Sequence, residues 1–164
     1  MFELVVQLAQ ISLLTGVAAW LATGVYDNVV HPDNNEVFTA QVMAMARMQD
    51  EYPEQFANVA HRAITSRAVQ KLAFRFVVIA EGLACLVLWV GVAMLVLALF
   101  GAVEPGPARA VALLGATLFT SVWAGFLVVG NYFCYWFCHE AGQNTHYQMT
   151  LWGIGVMVFL VATS

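Results

Sequence analysis

Near the start of the second of four long apolar stretches stands a single carboxylate, Glu81. Phe76-Val77-Val78-Ile79-Ala80 precedes it and Gly82-Leu83-Ala84-Cys85-Leu86 follows. A charge within hydrocarbon costs about 3 kcal/mol on insertion scales, so the carboxyl needs a partner, a proton or a water-filled recess. Arg75 lies six positions earlier, and about 100° per residue puts the two on nearly opposite helix faces. Asn131 and Tyr132, ending the third apolar stretch at similar depth, and Tyr26, ending the first, are the expected neighbours of Glu81. Two chemistries follow. A protonated glutamic acid can lock helices through a hydrogen bond, or the acid can carry a proton or anchor a ligand.

A second constellation is Cys134, Cys138, His139 and His146. Cys134 and Cys138, one helical turn apart, would offer two thiols from one face, with His139 on another. Such a set raises a zinc site, although zinc ligands usually come as close pairs separated by a structured loop. A bis-histidine haem needs its ligands within the membrane on facing helices, and no histidine here lies well inside an apolar stretch. Trp123, Tyr132, Tyr135, Trp136, Tyr147 and Trp152 cluster in the same region. A headgroup-level aromatic belt accounts for them, and the sharper alternative is an aromatic-lined quinone or lipid pocket. No Ser-His-Asp order, phosphate-cradling glycine loop or dinucleotide fingerprint is present.

The elements that must position these groups are membrane helices. The chain is 62% hydrophobic and 10% charged, against about 25% charged residues in a soluble domain. Roughly 20 helical residues span a bilayer core. The pattern predicts an all-α polytopic membrane protein: one four-helix bundle over residues 1–164, with spans at about 4–26, 72–100, 109–134 and 146–162. Glu3 occupies the place of a basic n-region, and the first apolar run is long, so it is expected to remain as an anchor. A net charge of −4 speaks against nucleic acid as a partner.

The loop at about 27–70 is long enough to require structure of its own. Asp33 with Glu36 has capping-box spacing, as has Thr145 with Gln148 at the start of the fourth span. Val37 to Met48 is expected to form a short helix, and Pro53 to end or restart it. Met43, Met45 and Met48 would give that helix a soft face lying on lipid or on a partner. Because the helices alternate in direction, the long loop and the connection from Phe137 to Asn144 share one side with all four histidines. Small residues at Thr15, Ala19 and Thr23, and at Ala116, Thr120 and Ala124, predict close helix contacts. Arg62, Arg67, Lys71 and Arg75 outnumber Arg109, which would place the long loop in the cytoplasm.

Two segments carry a resemblance. One is Met48-Gln49-Asp50-Glu51-Tyr52-Pro53 followed by His61-Arg62-Ala63-Ile64-Thr65-Ser66 and the approach to Glu81. The other is Val128-Val129-Gly130-Asn131-Tyr132-Phe133 through Trp136 to Gly142-Gln143. In order, spacing and placement they resemble the bacterial predicted small integral membrane protein family, domain of unknown function 2165. The resemblance implies four helices with an extended first connection, an acid where this chain has Asn131, and both termini in the cytoplasm. It implies no activity.

Without a catalytic set, and with a structured loop and close-packing stripes, the sequence favours a non-catalytic accessory or assembly subunit. Its setting would be a larger respiratory or photosynthetic complex of the bacterial inner membrane, with lipids and other integral membrane subunits as partners. The alternatives are a lipid-, quinone- or proton-binding or transport protein using Glu81 under an aromatic rim, and a metal or haem redox subunit. Bound lipid or quinone is the candidate cofactor.

Overall fold

A computed structural model describes residues 1–163. Four helices are long and apolar enough to cross a membrane: α1 (Phe2–Val30), α5 (Arg67–Leu99), α6 (Pro105–Tyr132) and α7 (Glu140–Ala162). Between α1 and α5 the long loop folds into α2 (Pro32–Ala44), α3 (Ala46–Glu51) and α4 (Pro53–Val59), then a 3-10 turn at Ala60–Arg62. A second 3-10 turn, Tyr135–Phe137, joins α6 to α7. The protein is therefore an all-α, multi-pass membrane protein with a helical first loop.

At the end remote from the loops the bundle is close-packed. Leu14, Val17, Ala18, Leu88, Ala112, Ala116 and Phe119 have no exposed surface. Glycine permits this approach: a Cβ on Gly91 would lie 2.8 Å from the Ala112 Cα, and one on Gly115 would lie 3.0 Å from the Leu88 Cα. Gly153 of α7 is pressed in the same way against Thr120 of α6. Such contacts replace the hydrophobic drive that lipid does not supply. Of the two small-residue stripes, the one on α6 is packed as expected. The one on α1 is not: Ala19 and Thr23 face outward, because Leu14, Val17, Ala18 and Leu21 turn inward instead.

At the other end, α2 to α4 form a cap on the α6–α7 connection. Met43, Met45 and Met48 pack with Phe133, Cys134 and Cys138. The methionine face thus lies on the chain's own third connection rather than on lipid or a partner. Arg47 donates to the Cys138 carbonyl. Arg62 donates to the Tyr132 carbonyl at the end of α6 and lies 5.6 Å from the Tyr132 ring centre, a favourable place for a cation. Gln70 fastens the cap to α5 by donating to the Ile64 carbonyl at 2.7 Å, and Arg67 pairs with Glu36 at 2.7 Å.

Helix boundaries depart from the pattern in several places, among them the expected Val37–Met48 helix, which breaks at Met45 in a left-handed conformation, φ 52°. α1 runs one turn past Tyr26, to Val30. α2 begins at Pro32 and α7 at Glu140, both without a side-chain cap bond, so neither capping box forms. α6 stops at Tyr132 and Cys134 takes a left-handed conformation, φ 52°. The chain folds back there so tightly that a Cβ on Gly130 would lie 2.6 Å from the Tyr135 ring.

The cap carries a pH-sensitive group. His139 is buried with its ring edge-on to Phe38. Burial, and then the nearby Arg47, lower its pKa from 6.5, against smaller opposing effects of Glu51 and Glu140. A depressed folded-state pKa means that the unfolded chain binds the proton more readily. The contribution of His139 to stability is full above about pH 6.5 and is lost as pH falls below it. Thermal unfolding between pH 7.5 and 5.5 should show this loss, and His139→Gln should flatten it. Equal slopes in the two proteins would refute the assignment.

Candidate functional site

Above the close-packed end, α5 and α6 separate. The antiparallel register set by Leu88 against Gly115 and Gly91 against Ala112, continued toward the loops, brings Glu81 level with Val122 and Trp123. Between the two helices lies a recess of about 1160 Å³. Its back wall is α1, through Trp20, Leu21, Gly24 and Asn28, and α2 covers it on the loop side. Exposed Leu72, Phe76 and Leu83 of α5, and Val129 of α6, lie at its margin, so it opens sideways to the bilayer. Gly24 and Gly125 help to hollow it, since a Cβ on either would meet nothing within 4 Å.

The walls are overwhelmingly apolar, with two polar groups of residues set in them. In the first, Glu81 and Asn28 are 5% and 8% exposed. Asn28 donates to Glu81 Oε2 at 2.8 Å, and Asn35 of α2 donates to Asn28 Oδ1 at 2.6 Å. Each amide is fixed in orientation by the next. Among the described residues Glu81 has no ion pair and no hydrogen bond to Oε1 beside the one to Oε2.

The second group comprises Trp123 of α6, Tyr135 of the connection and His146 of α7. Among the described residues, Trp123 Nε1, Tyr135 OH and His146 Nδ1 are buried without a hydrogen-bond partner, and Trp123 and Tyr135 are only 8% and 3% exposed. Burial, with a smaller effect of Tyr147, pushes the Tyr135 phenol up to about 12, so it keeps its proton at neutral pH. Leaving a buried polar group unpaired costs roughly 1–3 kcal/mol. Three such groups on one recess call for an explanation. Around them stand Trp20, whose ring centre lies 5.2 Å from that of Trp123, and Phe126, stacked on His146 at 4.8 Å.

The neighbours expected for Glu81 lie elsewhere. Tyr26 and Tyr132 are 63% and 52% exposed, Tyr132 lies beside Arg62, and Asn131 is also exposed. Asn28 takes the place foreseen for them, because α1 continues past Tyr26. Its place seven residues after Leu21 and fourteen after Leu14, both buried, was the available signal. The proposed metal set is not assembled either. The end of α6 at Tyr132 separates Cys134 and Cys138 from any common helix, and His139 and His146 turn to Phe38 and to the recess. Among the described residues no three His, Cys, Asp or Glu side chains converge. The Cys138 thiol is pushed up by burial and by Glu51, away from the thiolate that a metal requires. The aromatic cluster divides: Tyr132, Trp136 and Tyr147 face outward as a belt should, whereas Trp123 and Tyr135 turn into the recess.

The family model described as "predicted small integral membrane protein", domain of unknown function 2165, matches residues 6–163. The chain belongs to that family. The match takes in α5, α6 and α7, α1 from residue 6 onward, the cap and both polar groups of the recess. No curated protein and no solved structure matches the chain.

Proposed function

We propose that this protein of the bacterial inner membrane binds an amphipathic molecule that enters the recess sideways from the bilayer. The apolar body of that molecule lies between α5 and α6, and a polar group reaches Glu81. The carrying observation is the recess itself: about 1160 Å³, above the roughly 300–1,000 Å³ of ordinary small-molecule sites, apolar, open to lipid and furnished with a carboxyl oriented by Asn28. A buried acid serving only to lock helices has no use for that space beside it. Binding, delivery and transport all fit such a site, and none needs a catalytic residue.

Filling the recess tests this reading. Gly125→Leu places a side chain where the wall is open, and it should abolish the ligand that co-purifies with wild type. Glu81→Gln should reduce or change that ligand. Native mass spectrometry of the three proteins from mildly solubilised membranes reads the outcome. Identical bound material in all three, or none in wild type, would overturn the proposal.

The accessory-subunit reading retains one observation in its favour. Ala19 and Thr23 present small side chains on the outer face of α1, where another membrane helix can approach closely. The same spectra address it, since a bare monomer as the sole species would count against a partner.

A further inference from the structure

We infer that the occupant of the recess is a quinone-type ring, carrying oxygen functions on opposite edges of a planar apolar body with a hydrocarbon tail. This inference rests on the binding role proposed above and adds the class of ligand. Its basis is the second polar group. The Trp123 indole N–H can donate but cannot accept, so whatever satisfies it must bring an acceptor. Tyr135 OH, whose ring like that of Trp123 flanks His146 on the same recess, also has a donor to offer. The ligand therefore carries an acceptor oxygen toward α6 and α7.

The opposite wall makes a separate demand. Glu81, level with Trp123 on the facing helix, has Oε2 engaged by Asn28, leaving Oε1, which in the protonated acid donates to an acceptor oxygen of the ligand. A molecule that meets both walls has polar atoms on two sides of its body, and the lining between them is largely apolar. Trp20, Trp123, Phe126 and Tyr135 line the recess and provide flat faces and edges suited to a planar ring.

Other membrane-soluble classes fit less well. A lipophilic cation would be drawn to Glu81 and the aromatic faces, yet it brings no acceptor for the Trp123 N–H. A phospholipid has acceptors in plenty, but they are gathered at one end of the molecule and cannot meet both walls at once. A ring with oxygen on both edges satisfies both walls at once. No electron transfer is implied, because the recess recognises shape and hydrogen-bonding pattern only.

The test is competition in nanodiscs read by native mass spectrometry. The probes are a decyl-substituted benzoquinone, decylbenzene, phosphatidylglycerol and tetraphenylphosphonium, each against wild type, Trp123→Phe, Trp89→Phe and Gly125→Leu. The decyl-benzoquinone should bind wild type at one per chain, and decylbenzene should bind at least about tenfold more weakly. Trp123→Phe removes one donor and should weaken the quinone by roughly three- to tenfold, matching a net hydrogen bond of about 0.5–1.5 kcal/mol. Trp89→Phe, on the outer face of α5 and away from the recess, should leave it unchanged. Equal binding of decylbenzene and decyl-benzoquinone, or equal losses in the two tryptophan variants, would overturn the quinone assignment. Preference for phosphatidylglycerol or tetraphenylphosphonium that Gly125→Leu abolishes would also overturn it, while the binding role stands. Binding of every probe that survives Gly125→Leu would overturn both.

Discussion

Gly91→Ala should destabilise the bundle by about 1–3 kcal/mol, the usual cost of overpacking, although alanine is the better helix former by roughly 0.8–1 kcal/mol in water. The added methyl meets backbone, the Ala112 Cα at 2.8 Å and its N at 3.1 Å, and then Leu14 Cδ2 at 3.2 Å. A side chain could rotate away, but a helix axis has to move. Because α5 and α6 diverge just beyond this crossing, the shift should also change the width of the recess. Gly24→Ala supplies the comparison, since its methyl would meet nothing within 4 Å and should be neutral or mildly stabilising. Thermal or denaturant unfolding in detergent measures both, and similar behaviour of the two would show that close approach at Gly91 does not matter.

Asn28→Leu should have the second large effect, about 1–3 kcal/mol, because it strips the buried Glu81 carboxyl of the donor to Oε2 and leaves it desolvated and unpaired. Asn35 also loses the acceptor that its Nδ2 uses, which loosens α2 over the recess. Glu81→Gln should cost less, since the glutamine carbonyl oxygen can still accept from Asn28. The double replacement Asn28→Leu with Glu81→Leu should recover much of the loss, as exchanging both partners of a buried hydrogen bond for apolar groups is often nearly neutral. Unfolding measurements on the complete cycle isolate the coupling. Additive losses in the double variant would mean that the two side chains do not act as a pair.

The four spans were legible because hydropathy and length alone dictate them. Glu81 was legible as the residue to explain, because a carboxyl amid hydrocarbon stands out from its surroundings. Its partner was not. Hydropathy ends the first span at Tyr26, but hydrogen bonding carries α1 on to Val30 and so brings Asn28 to the inner face. The cysteine geometry failed for the converse reason: an apolar run through Cys134 conceals a left-handed residue that ends the helix. The recess was hidden most deeply. It depends on where α5 and α6 stop touching, which follows from Gly91 and Gly115 at one level and from the unfilled space beside Gly125 at another. Glycine in a sequence does not say which of these it serves.

With α2 lying over its loop side and exposed apolar residues at its margin, the recess opens toward the bilayer and not toward the aqueous phase. If it binds as proposed, its occupancy would be set by the mole fraction of ligand among the surrounding lipids. A compound that partitions strongly into membranes would saturate the site at a small total dose, and diluting the vesicles with buffer would scarcely empty it.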